Sequence, residues 1–230
     1  MNKTIMAVGA HTGDAQLTCG MLLAKHALRG DNIVIVDLTA GERGTPAGWT
    51  VADFRAYNVE CAAKFAQKLG GKSIVLDTPD GELYDTREEE LRLATLMREH
   101  RADAVLYHWK NSLHKDHEAA HRITDSAIFY ASLPTFEHPL PPAPIRRFMC
   151  AENWEDEPEF TPYYWFDVSE AFGLWKDAIR ELWLAEHSAS FRYLRYYEAL
   201  SVVRGARIGV DHATCFGVSP NARRQILDTL

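Results

Sequence analysis

Short apolar, β-prone runs alternate with amphipathic stretches through the first 132 residues, and this alternation limits the fold more than any other feature. Residues 4–9, 32–39 (NIVIVDLT), 72–76 and 102–108 read as strands. The second run is apolar almost throughout, the pattern of a strand covered on both faces. Residues 17–29, 51–69, 86–100 and 116–131 carry apolar side chains at helical spacing, and the first two stop at Gly30 and Gly70-Gly71. Strand–helix–strand at this rhythm makes βαβ units. It predicts an α/β chain with a Rossmann-like, mostly parallel sheet and helices on both faces.

The rhythm fades after about Leu133. Prolines 139, 141, 142 and 144 mark a surface crossing, not a domain boundary. A short strand (147–150), the polar and aromatic stretch ENWEDEPEFTPYYWFDVS (152–169) and helices over about 170–187 and 190–204 follow. With no internal repeat, one domain over 1–230 is expected: a core over 1–132, and strands and helices over 133–230 that complete the site.

Composition excludes several classes. With 47% hydrophobic residues the 230-residue chain buries a sizeable core, so disorder is not expected. A net charge of −7 argues against a nucleic-acid or anionic-membrane partner. No apolar run approaches the ~20 residues of a membrane span. MNKTIMAVGAH runs into a strand without a signal-peptide pattern. Cys19, Cys61, Cys150 and Cys215 are scattered and make no CxxC pair, so they read as buried thiols. Together these features predict a cytoplasmic protein acting on a small-molecule substrate.

Open parallel sheets bind ligands at the carboxyl ends of their strands, and this sequence loads those ends. Strand one runs into His11 and Asp14. Strand two runs into TAGERG, with Glu42 and Arg43. Strand four runs into HWKNSLHKDHEAAH, with His108, His114, Asp116, His117 and His121. HxxD after strand one and HxDH after strand four fall on the same rim, so His11, Asp14 and His117 form a candidate metal set with positions left for water and substrate. Asp14 and Asp116 would also serve as helix caps. Taken singly, His26, His108 and His121 read as polar surface or capping residues without a role in the chemistry. GAHTGD is not the GxGxxG of a dinucleotide site.

These residues resemble the PIG-L/LmbE-like N-acetylglucosaminyl deacetylases, zinc enzymes that hydrolyse acetamides on amino sugars. AHTGD stands where the family has AHPDD or AHPDE, and LTAGERG matches T-x-G-E-x-G. VECAAKFAQKLG matches E…AA…LG, HKDH matches HPDH, and YYWFDVS resembles a strand ending in D-[IV]-[ST]. VVRGARIGVDHATCF resembles R…G…G…Y-A-E-x-F. The resemblance implies an LmbE-like fold and zinc held by His11, Asp14 and His117, a donor set that also suits Fe(II), Mn(II) or Co(II). It implies an oxyanion-stabilising role for His114 and a histidine-orienting role for Asp116. Relatives form trimers or hexamers, which implies a homo-oligomer.

The chain departs from the pattern at the family's general base, the first acidic residue of HPDD, which here is Gly13; Thr12 replaces the proline. Three readings follow. Glu42 or Asp116 replaces the base, or metal-activated water suffices, or the chain is a non-hydrolytic sugar- or small-ligand-binding member of the family. Thr214 stands where the late motif has glutamate, which brings His212 forward as a substrate-binding candidate. Arg55, near the place of a family arginine, and Asn153, in the aromatic–acidic stretch, are the others.

Overall fold

Alternate side chains of the first strand, β1 (Thr4–His11), enter two different cores. Ile5 and Ala7 join one, while Met6, Val8 and Ala10 join the other. This two-period split makes β1 a central strand covered on both faces. The computed structural model describes residues 2–222. After β1 come α1 (Asp14–Thr18), α2 (Gly20–Leu28), β2 (Asn32–Thr39), a 3₁₀ turn (Glu42–Gly44), α3 (Val51–Lys68) and β3 (Lys72–Val75). Then follow α4 (Arg87–Glu99), β4 (Ala104–Tyr107), α5 (Lys115–Ser132), β5 (Arg147–Ala151) and β6 (Tyr164–Asp167). The chain closes with α6 (Phe172–Ile179), α7 (Trp183–His187), α8 (Tyr193–Ile208) and β7 (Ala213–Val218).

The strands form one sheet in the order β3-β2-β1-β4-β5-β7-β6. The first five pair in parallel, and β7 runs antiparallel between β5 and β6. The mostly parallel, Rossmann-like sheet read from the sequence is therefore present. Its strand order reverses between β1 and β4, the switch point where such sheets open a crevice. Trp175 of α6, Phe65 of α3 and Tyr197 of α8 pack with α2 on one face, and Leu93 and Met97 of α4 with Ile123 of α5 on the other.

Local chemistry sets the element ends. Thr50 caps α3 by accepting from the Asp53 amide at 3.1 Å, and Thr86 caps α4 through the Glu89 amide at 3.3 Å. The proline crossing is pinned from beneath by buried Arg98, which donates to the carbonyls of Tyr130, Leu133 and Leu140 at 2.8–2.9 Å. Among the described residues no helix is long and apolar enough to cross a membrane, and all four cysteines are buried and free.

Three features differ from the sequence reading. The first helix starts at Asp14 rather than 17 and is stepped at Cys19 into α1 and α2. There, the absent Cβ of Gly20 lets the Trp175 indole approach to within 2.6 Å of where that atom would stand. The expected 170–187 helix is broken between α6 and α7, which turns Leu184 back toward β1. β7 has no counterpart in the sequence reading: its edges are satisfied by β5 and β6, a pairing that no local pattern announces.

Candidate metal centre

β1 and β4 end side by side, and their last residues build the site. His11 closes β1, and the chain turns through Thr12 and Gly13 into α1. Gly13 sits at φ +117°, a conformation L side chains rarely adopt. A side chain there would also meet Leu184 of α7, whose Cδ2 lies 2.3 Å from the ideal Cβ position. The turn is braced beneath: the Gly13 amide donates to Gln16 Oε1 at 2.9 Å, and Gln16 Nε2 donates to Asp37 Oδ2 at 2.8 Å. Asp37 is fully buried, its Oδ1 has no partner among the described residues, and burial pushes its pKa up to about 8.

The structure brings His11, Asp14 and His117 together. Asp14 Oδ2 lies 3.2 Å from His11 Nδ1 and 3.4 Å from His117 Nε2. His114 completes a second close grouping with His11 and His117, their ligand atoms all within 4.8 Å of one another. Burial alone would raise the Asp14 pKa, but His117, His108 and His11 outweigh it and hold the carboxyl well below its usual range. Burial would lower that of His11, but bonds to Asp116, Asp14 and Asp80 outweigh it and raise the pKa well above normal. An ionised carboxylate and two imidazoles crowded this closely are a donor set for a divalent cation, which would displace the protons held there.

Carboxylates behind the histidines fix their rings. Asp156, fully buried, accepts from His117 Nδ1 through Oδ1 and from His108 Nδ1 through Oδ2, both at 3.0 Å. Burial would raise its pKa, but the two histidines bring it down to about 2. With Nδ1 engaged, His117 turns Nε2 toward Asp14. On the other side, His11 Nε2 faces Asp80 Oδ1 at 3.2 Å and Asp116 Oδ2 at 3.4 Å, leaving Nδ1 toward Asp14. Asp116 is held in turn by the Gly81 amide and by Lys115, both at 2.8 Å. His114 caps α5, its Nδ1 accepting from the Asp116 amide at 3.2 Å. That bond requires the neutral ring to carry its proton on Nε2, ready to donate.

The remaining sequence candidates lie apart from the cluster. Glu42 is buried one layer behind His11. Its Oε1 accepts from the Asp80 amide at 3.0 Å, and its Oε2 faces Arg55 at 3.2 Å. Arg55 also donates to the Leu76 carbonyl at 2.7 Å. Asn153 shapes a loop, accepting from the Glu155 amide at 3.2 Å and from the Tyr197 hydroxyl at 3.3 Å. His212 stacks on Phe172 with ring centroids 3.6 Å apart and bonds Ser201 at 2.9 Å; its described contacts do not include the cluster.

Sequence reasoning did not reach Asp80, passed over His108, and read Glu155 and Asp156 only as carboxylates suited to a sugar or amine pocket. His108, which reads as a polar surface or capping residue from the sequence, lies 3.3 Å from Asp14 Oδ2 and shares Asp156 with His117. Its place directly after β4, beside the end of β1, was the available signal. Asp156 and Glu155 come from the loop after β5, about 40 residues beyond His117, and no spacing rule connects them. Glu155 Oε2 stands 3.6 Å from His117 Nε2. His26 and His121 pair with Asp31 and Asp125, away from the cluster.

Comparison with known proteins identifies the family and the fold. Residues 6–128, from β1 into α5, match the family described as PIG-L: GlcNAc-PI de-N-acetylase. A diacetylchitobiose deacetylase from Thermococcus kodakarensis is 30% identical over 139 residues, 58% of this chain and 52% of the relative, so the match spans about half of that protein's length. The conserved protein TT1542 from Thermus thermophilus superposes with a TM-score of 0.79 at 26% identity, covering 98% of each chain. GalB, the 4-carboxy-2-hydroxymuconate hydratase from Pseudomonas putida KT2440, shares the fold with a TM-score of 0.85. It is 21% identical, over 98% of this chain and all of GalB.

Proposed function

The chain belongs to the PIG-L family, the GlcNAc-PI de-N-acetylases, and from that premise we propose that it is a zinc-dependent hydrolase of a small N-acyl substrate, an N-acetyl amino sugar or its conjugate. The observation that carries this reading is the convergence of His11, Asp14 and His117 at the switch point, each ring braced by a carboxylate on its far side. The donor set fits zinc, with Fe(II), Mn(II) and Co(II) as alternatives. His11, Asp14 and His117 would hold the zinc, which when bound would supply Lewis-acid polarisation of the amide carbonyl and of the attacking water. His114 donates from Nε2 to the oxygen that gains charge as the carbonyl carbon becomes tetrahedral. Asp156 and Asp116 hold His117 and His11 in their rotamers. Glu42 reaches the cluster only through the Asp80 amide, which makes it a weaker candidate for proton transfer than the sequence suggests.

The test is elemental analysis of the purified chain and of Asp14→Ala, followed by an amine-release screen over N-acetylglucosamine and N,N'-diacetylchitobiose. About one zinc per chain, lost in the variant, together with amine release, supports the reading; a folded, zinc-loaded protein that releases no amine from any acetamide defeats it.

Gly13 favours a second reading. The family's base is absent and Leu184 fills its place. Hydration of an activated carbon–carbon double bond needs a positioned water and a proton carrier but no departing amine, and the GalB hydratase shares this fold. Loss of ultraviolet absorbance from an unsaturated dicarboxylate, with no amine released from acetamides, would select it.

A further inference from the structure

We propose that Glu155 is the proton-handling carboxylate of this site, in place of the acid that position 13 does not offer. Two independent observations lead there. The first is that position 13 is closed: its backbone, at φ +117°, suits glycine, and Leu184 occupies the volume a side chain would take. α7 is itself latched, with Trp183 edge-on to Phe54 at 5.6 Å.

The second is elimination among the carboxylates around the cluster. Asp14 bonds the His11 amide at 2.8 Å and faces the ligand nitrogens. Asp156 is shared by His108 and His117, and Asp116 is held by Lys115 and the Gly81 amide. Asp80 accepts from the Arg43 amide at 2.9 Å and faces His11. Glu42 bonds the Asp80 amide and faces Arg55, and Asp37 lies beneath the turn, tied to Gln16. Among the described residues, only Glu155 of this group has both oxygens without a hydrogen bond. Its Oε2 is 3.6 Å from His117 Nε2, the nitrogen that faces the ligand cluster. Its loop is nonetheless fixed: the Glu155 amide bonds Asn153, and its carbonyl accepts from the Leu113 amide at 3.1 Å. A rigid backbone carrying an uncommitted, partly exposed carboxylate is what general-base chemistry asks for.

The step balances without any further reactant. Glu155 takes one proton from water as the water oxygen bonds the carbonyl carbon. The same proton passes to the amide nitrogen as the C–N bond breaks, leaving a carboxylic acid and a free amine. This substrate chemistry rests on the hydrolytic reading; the role of Glu155 as proton acceptor does not.

The experiment uses the zinc-loaded full chain, Glu155→Gln, Glu155→Ala and, as a loop control, exposed Glu157→Gln. Turnover of an accepted acetamide is expected to fall about 10²–10⁴-fold in Glu155→Gln, with KM within a few-fold and zinc content unchanged. Added formate should restore part of the Glu155→Ala activity, which loss of a merely structural carboxylate would not allow. Acetohydroxamic acid, which sheds a proton on chelating zinc, supplies a readout that needs no substrate. By calorimetry it should bind Glu155→Gln at least about tenfold more weakly than the wild type or Glu157→Gln, the effect of losing a hydrogen bond to a charged group. Wild-type turnover in Glu155→Gln, or loss of zinc from it, overturns the proposal. If the wild type releases no amine, the hydrolytic reading fails and the hydroxamate decides: weaker binding to Glu155→Gln with zinc retained sustains the proposal, and equal binding overturns it.

Discussion

Two contrasting regions border the cluster: Gly13, with the Leu184 side chain and a helix held by an aromatic contact, and Glu155, a carboxylate with no hydrogen-bond partner among the described residues. The Gly13 flank is apolar above and tightly bonded below, through Gln16 and Asp37. Glu155 itself is partly exposed, and its loop is held through its backbone amide and carbonyl rather than through the side chain that faces the site. A site of this kind separates two jobs that one HxDD turn usually combines. On the proposed reading, the turn after β1 would keep metal binding alone, and proton transfer would pass to another residue.

That separation predicts that the turn's remaining acid serves the metal outright. Asp14→Ala should take zinc from about one ion per chain to near none, because it removes a ligand and leaves two crowded histidines; elemental analysis reads it, and undiminished zinc would break the comparison. Asp156→Asn should keep zinc but weaken it about 10–100-fold in a chelator competition, as loss of such ring-orienting partners typically does. An unchanged affinity would mean that packing, not Asp156, orients His117.

The Gly13 flank is probed by stability. Gly13→Ala should cost about 2 kcal/mol in chemical denaturation, from a positive φ and the clash with Leu184. Adding Leu184→Ala should recover the steric part and leave the backbone part. Strict additivity of the two changes would show that Leu184 does not fill that volume.

Below the turn, Asp37 has its pKa raised to about 8 by burial. The unfolded chain releases this proton near pH 4 and the folded chain keeps it, so the wild type loses stability as pH rises from about 4 to 8. Asp37→Asn lacks that dependence. It should gain roughly 3–4 kcal/mol on the wild type between pH 5 and pH 8 in thermal melts, and a pH-independent difference would place the charge elsewhere.

Much of this was legible in the residues. β1, β2 and the helices through α5 announced themselves by period, because each buries a face against the sheet. His11, Asp14 and His117 could be placed at one rim because parallel topology puts every strand's carboxyl end on the same edge. The roles of His114 and Asp116 followed from the resemblance of HKDH to the family's HPDH. Beyond α5 the signals weakened. β7 is made by pairing rather than by its own pattern, and the fold of α7 back over Gly13 depends on the break at residues 180–182. Arg55 and His212 were brought forward by the family motifs and Asn153 by its aromatic–acidic stretch, and each has a bonded partner in the framework.

The sequence by itself thus determined the parallel core, the edge that bears the chemistry and the candidate ligands, since these depend on local periodicity and on the handedness of βαβ units; the missing acid at position 13 was visible only through the family resemblance. The tertiary structure alone decided that Asp156 braces two histidines, that Leu184 closes the vacated position and that Glu155 faces the cluster uncommitted. Those contacts join segments about 40 to 170 residues apart. Their geometry is set by packing and by the satisfaction of buried polar groups, which no local pattern in the chain encodes.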